Sequence, residues 1–279
     1  MVAPGPNPAA APGLEVTFSQ LSDPGKARGN NEDFCGYAAP ENAARTQSHG
    51  WLFALADGVG GQRLGEVASR TAVESILANF RNSAGGETSH PALLRRLVQA
   101  ANHAVYETGR GAGPGGVAIA TTIVACSLRF DRLAVAHVGD SRCYLVRGGC
   151  AEQITRDHTV SAEQVRLGLI TAREETESAN RHLLSRSLGN DLFVNVDTSD
   201  RLLVPGDVLL LCSDGLHNSV AEPDFAAVLG AEASLDEAAR RLVALAKERD
   251  GGDNITIQLI RVESVGRMGM YRGRPYRLR

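Results

Sequence analysis

The sequence predicts an α+β fold in which antiparallel sheets are covered by pairs of helices. Across residues 119–147 three β-like runs follow one another with no helix between them. Turn-sized gaps such as Phe130-Asp131-Arg132 and Arg147-Gly148-Gly149 join neighbouring strands, as hairpins do and βαβ crossovers do not. Helical periodicity arrives in neighbouring pairs, 65–80 with 91–108 and 162–167 with 172–179. A chain of 279 residues, 43% hydrophobic and 22% charged, is long enough to bury the core such layers need.

Element by element, β-branched, aromatic or alternating runs mark strands at 15–21, 34–38, 51–56, 119–128, 133–138, 143–146, 193–197, 208–212 and 255–262. Val67, Val73, Ile76, Leu77 and Phe80 recur at helical spacing along 65–80, and a further helix is expected at 235–248. Residues 1–13 are crowded with Pro and Ala and lack both a basic stretch and an apolar core, so they read as a flexible leader rather than a secretory signal. Residues 264–279 hold Arg267, Arg272, Arg274, Arg277 and Arg279 and no acid. Between these ends, 14–263 is expected to form one domain, and no solenoid-type repeat divides it.

Charge narrows the function classes. The formal net charge is −3, and setting aside the five arginines of the tail leaves −8 for the rest, which offers no drive toward nucleic acid or an anionic membrane. The tail itself is expected to be a solvated terminus, with an acidic partner or a membrane surface as the alternatives. The longest uncharged apolar stretch, 116–128, is shorter than the roughly 20 residues a membrane span requires. Five dispersed cysteines without a C-x-x-C pair suit a reducing compartment, so a cytoplasmic location is expected.

Carboxylates gather where strands end: Asn31-Glu32-Asp33, Asp57-Gly58-Val59-Gly60-Gly61, Ser213-Asp214-Gly215 and Gly252-Asp253-Asn254. Any one Asp-Gly alone is an ordinary turn. Three set directly against apolar strands can converge on one end of a sheet, and carboxylate oxygens are hard ligands suited to Mg2+ or Mn2+. Asp140, in Val138-Gly139-Asp140-Ser141-Arg142, reads by itself as a hairpin turn. Arg28 could present a guanidinium to a phosphoryl group at the same centre.

Taken in order, Arg28-Gly-Asn-Asn-Glu32-Asp33, Asp57-Gly-Val-Gly-Gly61, Ala120-Thr-Thr122, Val138-Gly-Asp-Ser-Arg142, Thr155-Arg-Asp-His158, Ser213-Asp-Gly-Leu216 and Gly252-Asp-Asn254 resemble the motifs of the protein phosphatase 2C family in its compact bacterial form. The resemblance covers about residues 14–262 and implies a four-layer α-β-β-α sandwich with two central antiparallel sheets. It implies a serine/threonine phosphatase that acts on phosphorylated proteins, opposes a Ser/Thr kinase and works as a monomer with two Mn2+ or Mg2+ ions. Carried over, Asp57 bridges the ions, Gly58 lends its carbonyl, Asp214 and Asp253 bind the second ion, and Glu32 and Asp33 hold ion-bound waters. Asp140 joins Asp214 at a weaker third ion, Asn254 supports Asp253, Arg28 receives the phosphoryl group, and residues 159–186 form a flap that selects substrates.

Two positions depart from the family pattern. Where members commonly carry a histidine in or just after the first Asp-Gly loop, this chain has Val59 and Gln62, which leaves the proton donor to the leaving oxygen unassigned, with water or His217 as substitutes. Asn218 replaces a carboxylate four residues after Asp214, which should weaken the third ion. The rival functions are a non-catalytic phosphoprotein-binding module of the same fold and a hydrolase of small phosphoesters. A literal G-x-G-x-x-G at Gly111, Gly113 and Gly116 follows a helix and precedes a strand, the reverse of a dinucleotide site. His49, His90, His103, His137, His158, His182 and His217 show no zinc-hydrolase spacing and read as surface or core residues, His158 as a local hydrogen-bonding group.

Overall fold

A computed structural model describes residues 13–59, 64–84, 89–113, 115–266, 268–271 and 274–277. One five-stranded antiparallel sheet runs in the order β1 (Glu15–Asp23), β10 (Ile255–Ser264), β9 (Val208–Cys212), β6 (Arg142–Arg147), β7 (Cys150–Gln153). The other runs β2 (Asp33–Ala38), β3 (Trp51–Asp57), β4 (Ile123–Arg129), β5 (Arg132–Val138), β8 (Asp197–Leu202).

Side-chain alternation along the strands builds the layers. In β3, Leu52, Ala54 and Ala56 face the helices α2 (Gly65–Arg81) and α3 (His90–Gly111), whereas Phe53 and Leu55 face the opposite sheet. Alanines predominate on the helix side of this sheet, with Ala125, Ala134 and Ala136 beside those of β3, so Ile76, Leu94 and Val98 can approach its backbone closely. In the first sheet Leu210, Ile257 and Leu259 meet α7 (Glu222–Ala231) and α8 (Leu235–Arg249), while Leu209, Leu211 and Ile260 fill the space between the sheets. The result is the four-layer α-β-β-α sandwich.

Several expectations need correction. The strand in place of the run 119–128 is Ile123–Arg129, which starts later; Thr121 instead makes isolated bridges to Gly58 and Leu188, because its hydroxyl and the Thr122 amide are both spent on the Asp57 carbonyl. The strand expected at 193–197 lies at Asp197–Leu202, where a polar edge segment pairs with β5, and Phe193 stays 80% exposed. Gly139-Asp140-Ser141 is no hairpin turn: β5 and β6 belong to different sheets, and these residues carry the chain from one to the other. Helices α1 (Ala43–Ser48), α6 (Asp214–His217) and α7, strand β7, and the pair β11 (Met268–Tyr271) and β12 (Arg274–Arg277) in the Arg-rich tail were not foreseen. Among the described residues no helix is long and apolar enough to cross a membrane.

Candidate active site

Strand register brings the acids together. Asp33 and Asp57 are direct partners across β2 and β3. β9 ends one residue before Ser213-Asp214, β10 begins two residues after Asp253, and β9 and β10 are neighbours, so their acids emerge at the same end of the sandwich. The crossing at Asp140 completes the ring. A cleft of about 840 Å3 is lined by Arg28, Glu32, Asp57, Gly58, Asp140, Asp214, Asn218 and Asp253, with Asp33 and Asn254 buried beneath its rim.

Hydroxyls and amides hold these segments in place. The Asp57 amide donates to Thr122 Oγ1 at 2.9 Å, and Thr122 Oγ1 lies 2.7 Å from Ser141 Oγ, so the Asp57 and Asp140 segments share one anchor. Ser213 Oγ donates to Asp33 Oδ2 at 2.7 Å and accepts from the Thr256 amide. Asn254 ties three segments, accepting from the Glu32 amide and donating to the carbonyls of Pro24 and Asn30. At Gly58 a Cβ would stand 2.3 Å from the Gly65 carbonyl oxygen, so no side chain fits between the first Asp and α2. Gly139 has φ +103, and its amide donates to His158 Nδ1. The sequence did not reveal Thr121, Ser141 or Ser213 as anchors, because a hydroxyl reads the same whether it faces solvent or a buried amide.

Electrostatics define what the ring can hold. Burial pushes the Asp33 carboxyl up to about 7, with Asp214 and Asp253 adding repulsion that its Ser213 and Thr256 hydrogen bonds only partly offset. Burial and the neighbouring Asp214 raise Asp140 to about 8, and burial with four surrounding aspartates raises Asp57 well above the carboxylate range. Burial also raises Glu32 and Asp214. Asp33 Oδ1 is buried with no hydrogen-bond partner among the described residues. The only cation paired with these acids among the described residues is Arg28, whose Nη2 meets Asp253 Oδ2 at 2.7 Å.

Other candidate residues separate clearly. Val59 lines the cleft, whereas Gln62 lies outside the described residues. His217 is unsuited to giving up a proton: Nε2 meets the Asp140 carbonyl at 3.0 Å, Nδ1 is buried without a partner, and burial pushes the ring down to about 3. Asn218 donates to Asp214 Oδ2 at 3.3 Å. His182, read above as a surface or core residue, lines the cleft. Away from it, His137, His158 and Asp197 form the one compact group of potential ligands among the described residues, and Arg186 already occupies it, 3.0 Å from Asp197 and 3.3 Å from His158 Nε2.

The model of the protein phosphatase 2C family matches residues 28–248, a span that includes nearly the whole ring of acids. The chain belongs to the protein phosphatase 2C family. It is 34% identical over 250 residues to a putative protein phosphatase 2C-type of Streptococcus pyogenes, covering 89% of this chain and 98% of that one. It superimposes on the Mycobacterium tuberculosis serine/threonine phosphatase PstP/Ppp with TM-score 0.78 at 33% identity, covering 90% and 99% of the two chains. A structure of the PstP catalytic domain in complex with two manganese ions matches with TM-score 0.76 at 33% identity, covering 90% and 100%. This protein is a serine/threonine phosphatase of that family.

Proposed function

We propose that this phosphatase hydrolyses phosphoserine and phosphothreonine in proteins with two bound divalent cations, Mn2+ or Mg2+, and so opposes a Ser/Thr kinase as a cytoplasmic monomer. The observation that carries the reading is the Asp33–Asp57 pair: two carboxylates opposed in register, ringed by Asp140 and Asp214, with Asp33 Oδ1 unpartnered. Like charges so placed repel unless a cation lies between them. The acids of the ring offer oxygen donors, which fit Mg2+ or Mn2+.

In this reading Asp57, the Gly58 carbonyl, Asp214 and Asp253 would hold the two cations. Glu32 and Asp33 would act through water, and Asp140 with Asp214 would offer a weaker third position. Bound there, the cations would supply an activated water and neutralise charge growing on the phosphoryl oxygens. The chain's own groups orient the substrate. Arg28, 43% exposed at its side chain and tethered through Nη2 to Asp253, turns the remaining guanidinium toward a phosphoryl oxygen. The family's solved relative with two manganese ions supports the count of ions.

The test is phosphate release from a phosphothreonine peptide with and without Mn2+, beside Asp57→Asn. Nucleotides and sugar phosphates serve as competing substrates. Strictly Mn2+-dependent release that Asp57→Asn abolishes is the expected result. Peptide binding without turnover, or preference for small phosphoesters, would overturn it.

A further inference from the structure

A seryl or threonyl oxygen departs as an alkoxide, a far stronger base than a phenolate, and needs a proton as its bond to phosphorus breaks. Few groups lining the cleft can give one at neutral pH. The carboxylates face the cation positions, the Arg28 guanidinium does not deprotonate, and the Thr122 and Ser187 hydroxyls are weak acids. His182 is the one imidazole lining the cleft among the described residues.

The residues that follow it in the chain are pinned. The neighbouring Leu183 carbonyl accepts from the Val160 amide at 2.8 Å, and the Ser185 amide donates to the His158 carbonyl at 2.8 Å. Farther along, Leu188 bridges Thr121, whose hydroxyl holds the Asp57 carbonyl. The segment bearing His182 is thus tied through Thr121 to the segment bearing Asp57. His182 and Asp214 line the same cleft.

We propose that His182 is the proton donor to the departing serine or threonine oxygen; the assignment rests on the phosphatase reading above. As the bond from phosphorus to that oxygen breaks, its electron pair stays on the oxygen and the imidazolium proton moves to the same atom. The oxygen of the attacking water forms the new bond to phosphorus, and a proton of that water passes to solvent. Solvent returns a proton to the ring, so phosphoester and water become alcohol and phosphate.

The test compares the full chain with His182→Ala and His182→Gln in saturating Mn2+, on a phosphothreonine peptide and on p-nitrophenyl phosphate. Turnover of the peptide should fall roughly 10²-fold while the aryl phosphate stays within about threefold, because an aryl oxide leaves without protonation. Across substituted phenyl phosphates the variants should depend more steeply on leaving-group pKa, and added imidazole should restore peptide turnover to the alanine variant. Calorimetric Mn2+ binding and the thermal midpoint should not change. Equal losses on both substrates, no loss on either, or weakened Mn2+ binding would each overturn the assignment, and should the alanine variant fail to fold, the glutamine variant decides. A wild type inert toward both substrates in Mn2+ would overturn the phosphatase reading itself, and this assignment with it.

Discussion

Asp33 and Asp57 stand opposite each other on neighbouring strands, where like charges disfavour folding unless something positive joins them. Asp57→Asn removes one charge and one cation ligand at once, so two measurements should move in opposite directions. Phosphatase turnover in Mn2+ should be lost, as it should in Asp253→Asn, while circular dichroism stays native. In EDTA at pH 8 the thermal midpoint of Asp57→Asn should rise above wild type by a few degrees, about 1 kcal/mol. A fall there would mean that the Asp57 carboxylate is compensated by groups of the protein. Asn218 poses the converse case: its amide donates to Asp214, whereas a carboxylate would raise the charge facing a cation beside Asp140. Asn218→Asp should tighten an additional Mn2+ on the order of tenfold, read by calorimetry, with the first two ions little altered.

Element boundaries show how one loop serves two sheets. Gly139 sits at φ +103, and a Cβ there would lie 2.6 Å from the Thr122 side chain. Gly139→Ala should therefore cost about 1–3 kcal/mol in denaturant unfolding and displace Asp140, weakening any third cation first. The long helices were legible almost to the residue: 65–80 became Gly65–Arg81 and 235–248 became Leu235–Arg249, because each carries an apolar stripe against a polar face. Helix α7 was missed because its apolar residues spread around the axis and only Phe225 and Leu229 are buried. β8 was misplaced because Asp197–Leu202 is polar and needs only one partner strand to form an edge.

Across the whole molecule the acids make stability depend on pH. In the metal-free fold Asp33 and Asp140 hold protons up to about 7 and about 8, against an ordinary carboxylate value near 3.9 in the unfolded chain. Between those limits the folded state binds more protons, so stability falls as pH rises from about 4 toward 8. Half-buried His90 and buried His158, both held down at about 4, act in the other sense and lose stability as pH drops below their unfolded value of about 6.5. The metal-free protein should accordingly weaken from pH 6.5 to 8, and Mn2+ should raise the thermal midpoint more at pH 8 than at pH 6. Equal increments at both values would place the ion away from these carboxylates.

The sequence alone determined the class of fold, the acids and their order, because strand alternation, helical stripes and strand-end Asp-Gly pairs are local patterns that physics repeats in any context. Only the tertiary structure decided what those residues face. Asp140 looked like a hairpin turn until its flanking strands joined different sheets. His217 and His182 are equivalent imidazoles in the sequence, yet folding buries the Nδ1 atom of one without a partner and sets the other on the cleft. The difference arises because a side chain's proton affinity and reach depend on neighbours tens or hundreds of residues away, which no local spacing encodes.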